Sequence, residues 1–445
     1  MEPSPLKRRE IIDALRDGAV PLRGLELFAV GLGRFEKTLD DELDAVASGR
    51  GKFKAVRGAY GTGKTFFARW LEHRARQRGF ATALVQINET ETPLHRMETL
   101  YRRAVEGLQT EEWSRGAFRS LIEKWFFQLE EEVLASVPAS DADAVAKAVG
   151  DLLERRLAVV SATQPQFSAA LRAAHSARVH GDMVVAEGLI AWLAGQPNVG
   201  ASIKRAANLK GELDHYVAGG FFRGLLEVLR QTGRRGLLLV MDEVETIQRI
   251  RSDSRAKSLN ALRQLIDDLN GNQYPGLYVL ITGTPQFFDG KQGVRQLQPL
   301  EQRLHTVFED NPVHDSTRAI QIRLMPFDLP KLVEVGQRVR GIYPTEHPDR
   351  IATQVDDDVL RGLAEQIAGK LGGKVGIAPR IYLKRVVDLL DKVDQSEDYD
   401  VSRYRVALNA GELRVEERSA AGMAASVDDL RLDVGTAGGS DEGLG

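Results

Sequence analysis

Gly58-Ala59-Tyr60-Gly61-Thr62-Gly63-Lys64-Thr65 decides the fold, because it fits the spacing G-x-x-x-x-G-K-[ST] and stands between a strand and a helix. Upstream, Phe53, Ala55 and Val56 within Lys52 to Arg57 read as a short buried strand. Downstream, Phe66, Phe67, Trp70 and Leu71 form one apolar helix face. Glycines at such a turn let successive backbone N–H groups fold inward around an anion at the positive end of the helix. The stretch therefore predicts a loop that cradles the phosphates of ATP with the backbone of Gly58, Ala59, Tyr60, Gly61, Thr62 and Gly63. In that reading Lys64 reaches the β and γ phosphates and the Thr65 hydroxyl ligates Mg2+. The competing reading, a glycine-rich turn that binds nothing, is disfavoured by the two flanks.

Working outward, Gly79 stands where a left-handed cap ends the helix, and Phe80 to Ile87 is a nearly all-apolar strand of the kind covered on both faces of a parallel sheet. The strand rhythm then stops. From about Thr92 to Thr232 the periodicity is helical, with Trp113, Trp125, Phe126, Phe127 and Trp192 as packing anchors. Strands resume at Leu237 to Met241 and Leu277 to Thr282, separated by an amphipathic helix carrying Leu259, Leu262, Ile266 and Leu269. Ile320, Ile322 and Leu324 alternate with polar residues, as on an edge strand. From Leu329 onward the pattern is helical again. The expected fold is α/β: a P-loop NTPase with a parallel sheet, a large helical insertion and a C-terminal helical lid. The expected boundaries are 1–91 for an N-terminal segment with the first half of the core, 92–232 for the insertion and 233–328 for the second half of the core. The lid follows at 329–417 and a disordered tail, poor in large apolar side chains, at 418–445.

Asp242 and Glu243 follow five apolar residues, so both carboxylates emerge at the carboxyl end of a buried strand, the edge where open α/β sheets bind ligands. Asp242 is the candidate to hold Mg2+, and Glu243 the candidate to polarise the attacking water. Thr284, with Thr282 as substitute, ends the next strand and would orient that water if the two strands are neighbours. Arg303 and Arg380 are candidate cations for the γ-phosphate, Arg303 in trans across a subunit boundary and Arg380 in cis from the lid. The eight histidines have no clustered spacing that would make a zinc site. The paired cations Arg102, Arg103, Arg155, Arg156, Lys204 and Arg205 read first as a solvated face and second as a nucleic-acid contact.

The chain has 445 residues, with 43% hydrophobic and 28% charged, an ordinary globular composition. It has no cysteine, which excludes disulfides, thiolate metal sites and a cysteine nucleophile. No apolar stretch reaches the roughly 18 residues of a membrane span, and the first residues lack an apolar leader, so the expected location is cytoplasmic with no membrane partner. The formal net charge of −3 leaves DNA binding open, because Lys and Arg can be confined to one face.

The order of phosphate loop, acidic pair, strand-terminal Thr and two later arginines resembles the AAA+ ATPases, in particular their initiator and clamp-loader-like branch. A narrower resemblance rests on Asp13-Ala14-Leu15-Arg16-Asp17-Gly18-Ala19-Val20-Pro21, Phe28-Ala29-Val30-Gly31, Arg57 to Thr65 and Met241-Asp242-Glu243. It continues through Gly283-Thr284-Pro285-Gln286-Phe287-Phe288 and Ala378-Pro379-Arg380-Ile381-Tyr382-Leu383. These segments look like the ATP-binding protein family of BREX phage-defence clusters, with similarity from about Ile11 to Lys392. The resemblance implies an accessory ATPase of an anti-phage defence system, and the expected partners are double-stranded DNA or other BREX proteins; a homo-oligomer is expected if Arg303 acts in trans. The stretch between Ile87 and Gly236 exceeds what a minimal AAA+ core needs, and its role is not implied. An ATP-gated interaction module with negligible turnover is the rival from another class, with Glu243 against it. A helicase-like motor is a further rival, since Asp242-Glu243-Val244-Glu245 resembles a helicase motif, but too little chain follows for a second motor domain.

Overall fold

The computed structural model describes residues 3–138, 142–211, 213–371 and 379–408, with Gly411 and Leu413. The chain divides into two compact units. One comprises Gly31–Ala59 and Lys64–Met325, the other Met1–Val30, Tyr60–Gly63 and Pro326–Gly445.

The first unit is built on a five-stranded sheet: β1 Lys52–Arg57, β2 Ala81–Gln86, β3 Leu237–Asp242, β4 Leu277–Gly283 and β5 Gln321–Arg323. All neighbours are parallel, in the order β2-β3-β4-β1-β5. Every residue of β3 and β4 is buried, which explains their unbroken apolar sequence. Each fully buried Leu or Val there contributes about 2 kcal/mol. β5 pairs only with β1, and its short alternating pattern is that of an edge strand. The Lys64–Gln77 helix carries the chain from β1 to β2, and Gly79 follows it with φ +82°, a left-handed turn that favours glycine. Because β4 lies between β1 and β3, the carboxyl ends of these three strands are side by side.

Between β2 and β3 the described residues form eight helices, from Met97–Glu106 to His215–Gln231. They are not a separate unit. Tyr101, Trp125, Phe126, Phe167, Trp192, Phe221 and Phe222 belong to the same apolar cluster as β2, β3 and β4. Tyr101 meets Phe221 and Phe222 edge-on at 5.6 and 5.1 Å, and its hydroxyl donates to the Leu193 carbonyl at 2.8 Å. Phe127 is not one of the anchors: it is 53% exposed while Trp125 and Phe126 are buried. Successive residues of a helix are 100° apart, so three in a row cannot share a narrow core face.

In the second unit, Ile11, Ile12 and Leu15 are buried on the Pro5–Arg16 helix, which packs on Pro379–Gln395. Asp391 ties the two together: it accepts from Arg16 Nε at 2.8 Å and Nη2 at 2.9 Å, and from the Tyr343 hydroxyl at 2.8 Å. The helices Leu329–Ile342, Pro348–Gln354 and Asp357–Lys370 also pack in this unit, and a Cβ on Gly336 would collide with the Tyr382 hydroxyl. The Pro5–Arg16 helix therefore packs with a helix near the other end of the sequence, within one compact unit. Local sequence pattern does not show this, because the bond from Arg16 to Asp391 spans 375 residues. The tail expected at 418–445 lies outside the described residues. Among the described residues no helix is long and apolar enough to cross a membrane.

Candidate functional site

The Gly58–Thr65 loop leaves the carboxyl end of β1 and enters the Lys64–Gln77 helix. Gly61 and Gly63 have φ of 80° and 87°, which other residues adopt only with strain. The Gly58 N–H donates to the Gly283 carbonyl at 3.1 Å, fixing the start of the loop to the end of β4. Lys64 Nζ donates to the carbonyls of Gly58 at 2.9 Å and Ala59 at 3.3 Å, so its ammonium is folded onto the loop's own backbone.

At the end of β3, the buried Asp242 carboxylate accepts from the Thr65 hydroxyl at 2.9 Å and, through its other oxygen, from the Thr282 hydroxyl. One carboxylate thus joins the loop, β3 and β4. Glu243 has φ 61° and ψ 43°, a left-handed backbone that costs a non-glycine residue about 1 kcal/mol or more. Two contacts hold it there: its N–H donates to Thr282 Oγ1 at 3.2 Å, and its carboxylate accepts from Gln86 Nε2 at 2.7 Å. This turn lets Glu243 leave the strand direction while Asp242 remains buried.

Thr282, named as the substitute, is the threonine bonded to the acidic pair. Thr284 is also buried, and it stands at the start of the Pro285–Asp289 helix without a side-chain cap bond. Which of the two would touch the acids depends on strand adjacency, and the parallel register between β3 and β4, with Met241 opposite Ile281, puts Thr282 beside Asp242. Two further residues were not singled out from the sequence as parts of the site. Gln86 ends β2, and nothing in its local sequence marks it. Glu245 is buried with one carboxylate oxygen 3.9 Å from Lys64 Nζ and the other without a hydrogen-bond partner. Burial pushes its carboxyl upward, against the pull of Lys64.

Arg303 is not brought to this cluster. Its guanidinium pairs with Asp267 and donates to the Pro299 carbonyl at 2.6 Å. Asp267 lies near the end of the Ser252–Asn270 helix that leads into the start of β4, so this pair sits toward the sheet edge opposite Asp242. Arg380 begins the Pro379–Gln395 helix in the other unit and lies against Gly18, where an added Cβ would stand 3.2 Å from Arg380 Nη1. Gly18 has φ +71°, so the turn after the first helix both requires glycine and gives Arg380 room. Of the paired cations between β2 and β3, Arg102, Arg103 and Arg156 form ion pairs with Glu106, Glu91 or Glu132, as on a solvated face.

A family model described as BREX system ATP-binding protein BrxC/D matches residues 4–407. The chain belongs to this family. The BrxC/D match spans the Gly58–Thr65 loop, the Asp242-Glu243 pair, Arg303 and Arg380, and it bears out the resemblance carried by the sequence motifs. Its role is that of an ATP-binding protein of a BREX system. Comparison with the curated proteins and with the solved structures finds no match.

One buried acid on the helix after the loop leads to a prediction about pH. Burial pushes the Glu72 carboxyl up to about 7, opposed by Arg76 and by a hydrogen bond with Thr82. An acid raised in the folded state holds more protons there than when unfolded. Its contribution is full below the usual carboxylate range and is lost as pH rises through about 7. Thermal unfolding of Glu72→Gln followed from about pH 5 to about pH 8 should therefore be flatter than wild type, which should lose stability toward the alkaline end. Parallel curves for the two proteins would contradict this.

Proposed function

We propose that this chain hydrolyses ATP as an AAA+ type P-loop ATPase serving BREX defence. The observation that supports the reading best is the convergence of Thr65 and Thr282 on Asp242, beside Glu243, at the carboxyl ends of neighbouring strands. Lys64 would exchange its loop carbonyls for the β and γ phosphates of ATP. The Asp242 carboxylate and Thr65 hydroxyl are hard oxygen donors 2.9 Å apart, which fits Mg2+, an ion that needs few protein oxygens beside phosphate and water. When bound, Mg2+ supplies neutralisation of phosphate charge.

Glu243, oriented by Gln86, takes the proton of the attacking water as the water oxygen bonds to the γ-phosphorus and the bond to the ADP oxygen breaks. Either Thr284 or its substitute Thr282 would help order that water, and the bonds of Thr282 with Asp242 and the Glu243 N–H support Thr282. Arg303 in trans and Arg380 in cis are the proposed counter-ions for charge developing on the γ-phosphate. We read the eight helices between β2 and β3 as an insertion into the ATPase core, and those from Leu329 as its lid. Phosphate release measured with and without duplex DNA tests the target. Stimulation by DNA supports action on DNA, and equal rates favour action on partner defence proteins.

If Arg303 completes a neighbour's site, activity per subunit should rise with protein concentration, because a monomer lacks one transition-state cation. Mixing inactive Arg303→Ala with inactive Glu243→Gln should restore part of the activity, since some interfaces then pair an intact Glu243 with an intact Arg303. No recovery in demonstrably mixed oligomers would count against the in-trans role.

A further inference from the structure

A cavity of about 550 Å³ opens at the amino-terminal edge of the sheet, bounded by Arg50, Lys52, Lys54 and Arg318 with Phe53 and Leu269. It is separated from the Gly58–Thr65 loop by the length of β1, about 17 Å at the usual rise per strand residue. The charges around it are not balanced. Lys54, buried at the floor, pairs with Glu42 at 2.6 Å and donates to the carbonyls of Thr317 at 3.1 Å and Ala319 at 2.9 Å. Glu42, the single carboxylate lining the cavity, is thereby engaged, and it also accepts from the Tyr278 hydroxyl. The side chains of Arg50, Lys52 and Arg318 have no acceptor or carboxylate partner among the described residues. Other arginines of this unit are engaged differently: Arg74, Arg78, Arg235, Arg263 and Arg303 have acidic partners.

Unpaired cations grouped around a concavity repel one another and raise the local concentration of anions. We propose that this cavity is a second ligand site, taking a phosphorylated small molecule of about nucleotide size whose phosphate is held by Arg50, Lys52 and Arg318. The volume lies in the range of small-ligand pockets, and Phe53 and Leu269 supply an apolar wall for the rest of the ligand. A duplex backbone would call for cations spread along a track. Here they surround one hollow, which favours a compact anion.

The test uses the full chain carrying Lys64→Ala, so that the first site is disabled, with pyrophosphate and AMP as probes in calorimetry at low salt. One pyrophosphate should bind per chain. Adding Arg50→Ala, Lys52→Ala or Arg318→Ala should each weaken it about tenfold, the value of one charge-assisted contact. Unchanged melting temperatures in these variants, expected because the side chains have no partners, keep the comparison valid. AMP binding with the same dependence would extend the site to nucleotides. Absence of any bound pyrophosphate, or binding indifferent to all three substitutions, would overturn the proposal. So would cation-dependent binding of duplex DNA without binding of pyrophosphate, which would make the surface a backbone contact instead.

Discussion

Lys64→Ala should weaken ATP binding by about 10²–10³-fold, the largest loss expected from any single side chain here, since truncating one partner of a buried charge pair costs about 2–5 kcal/mol. The ammonium is held at the loop by the Gly58 and Ala59 carbonyls. It is therefore placed before ligand arrives, and little ordering entropy opposes its use. Fold stability should change little, because Glu245, left without its cation, can take up a proton: burial already pushes its carboxyl upward. Titration with a fluorescent ATP analogue checks the first expectation and thermal unfolding the second. ATP affinity within threefold of wild type would remove Lys64 from the phosphate site.

Glu243→Gln should leave ATP binding intact and lower hydrolysis by about 10²–10⁴-fold, the usual contribution of a positioned general base. Glutamine has the same length and can still accept from Gln86 Nε2 through its side-chain oxygen. The left-handed backbone is held by the N–H bond to Thr282, which the substitution does not touch. The loss should therefore fall on turnover alone. A matching loss of ATP affinity would mean that the change distorted the loop. Wild-type turnover in the variant would remove Glu243 from the water-activating role.

Much of this architecture is legible in the sequence because its core strands are parallel and doubly covered. Such strands read as apolar runs, so Leu237 to Met241 and Leu277 to Thr282 declare themselves one by one. The glycines at 61 and 63 are legible for a related reason: backbone in the left-handed region leaves a mark in residue type. What local pattern cannot carry is adjacency. Thr282 and Thr284 are equivalent as sequence, and only the placement of β4 beside β3 sets Thr282 against Asp242. Gln86 is hidden in the same way, since its role depends on β2 lying beside β3. The docking of Arg16 on Asp391 joins helices 375 residues apart in sequence and has no local signature. Arg303 shows the reverse case, a cation whose sequence position suggests a site while its own chain gives it Asp267.

Phosphate release by the purified wild-type chain with ATP and Mg2+, measured beside Glu243→Gln at equal ATP saturation, tests the central claim most directly. The account predicts steady release by the wild type that stops when Mg2+ is chelated, and release by the variant reduced at least about a hundredfold. Equal release by the two proteins, or none from a wild-type chain shown to be saturated with ATP, would contradict it.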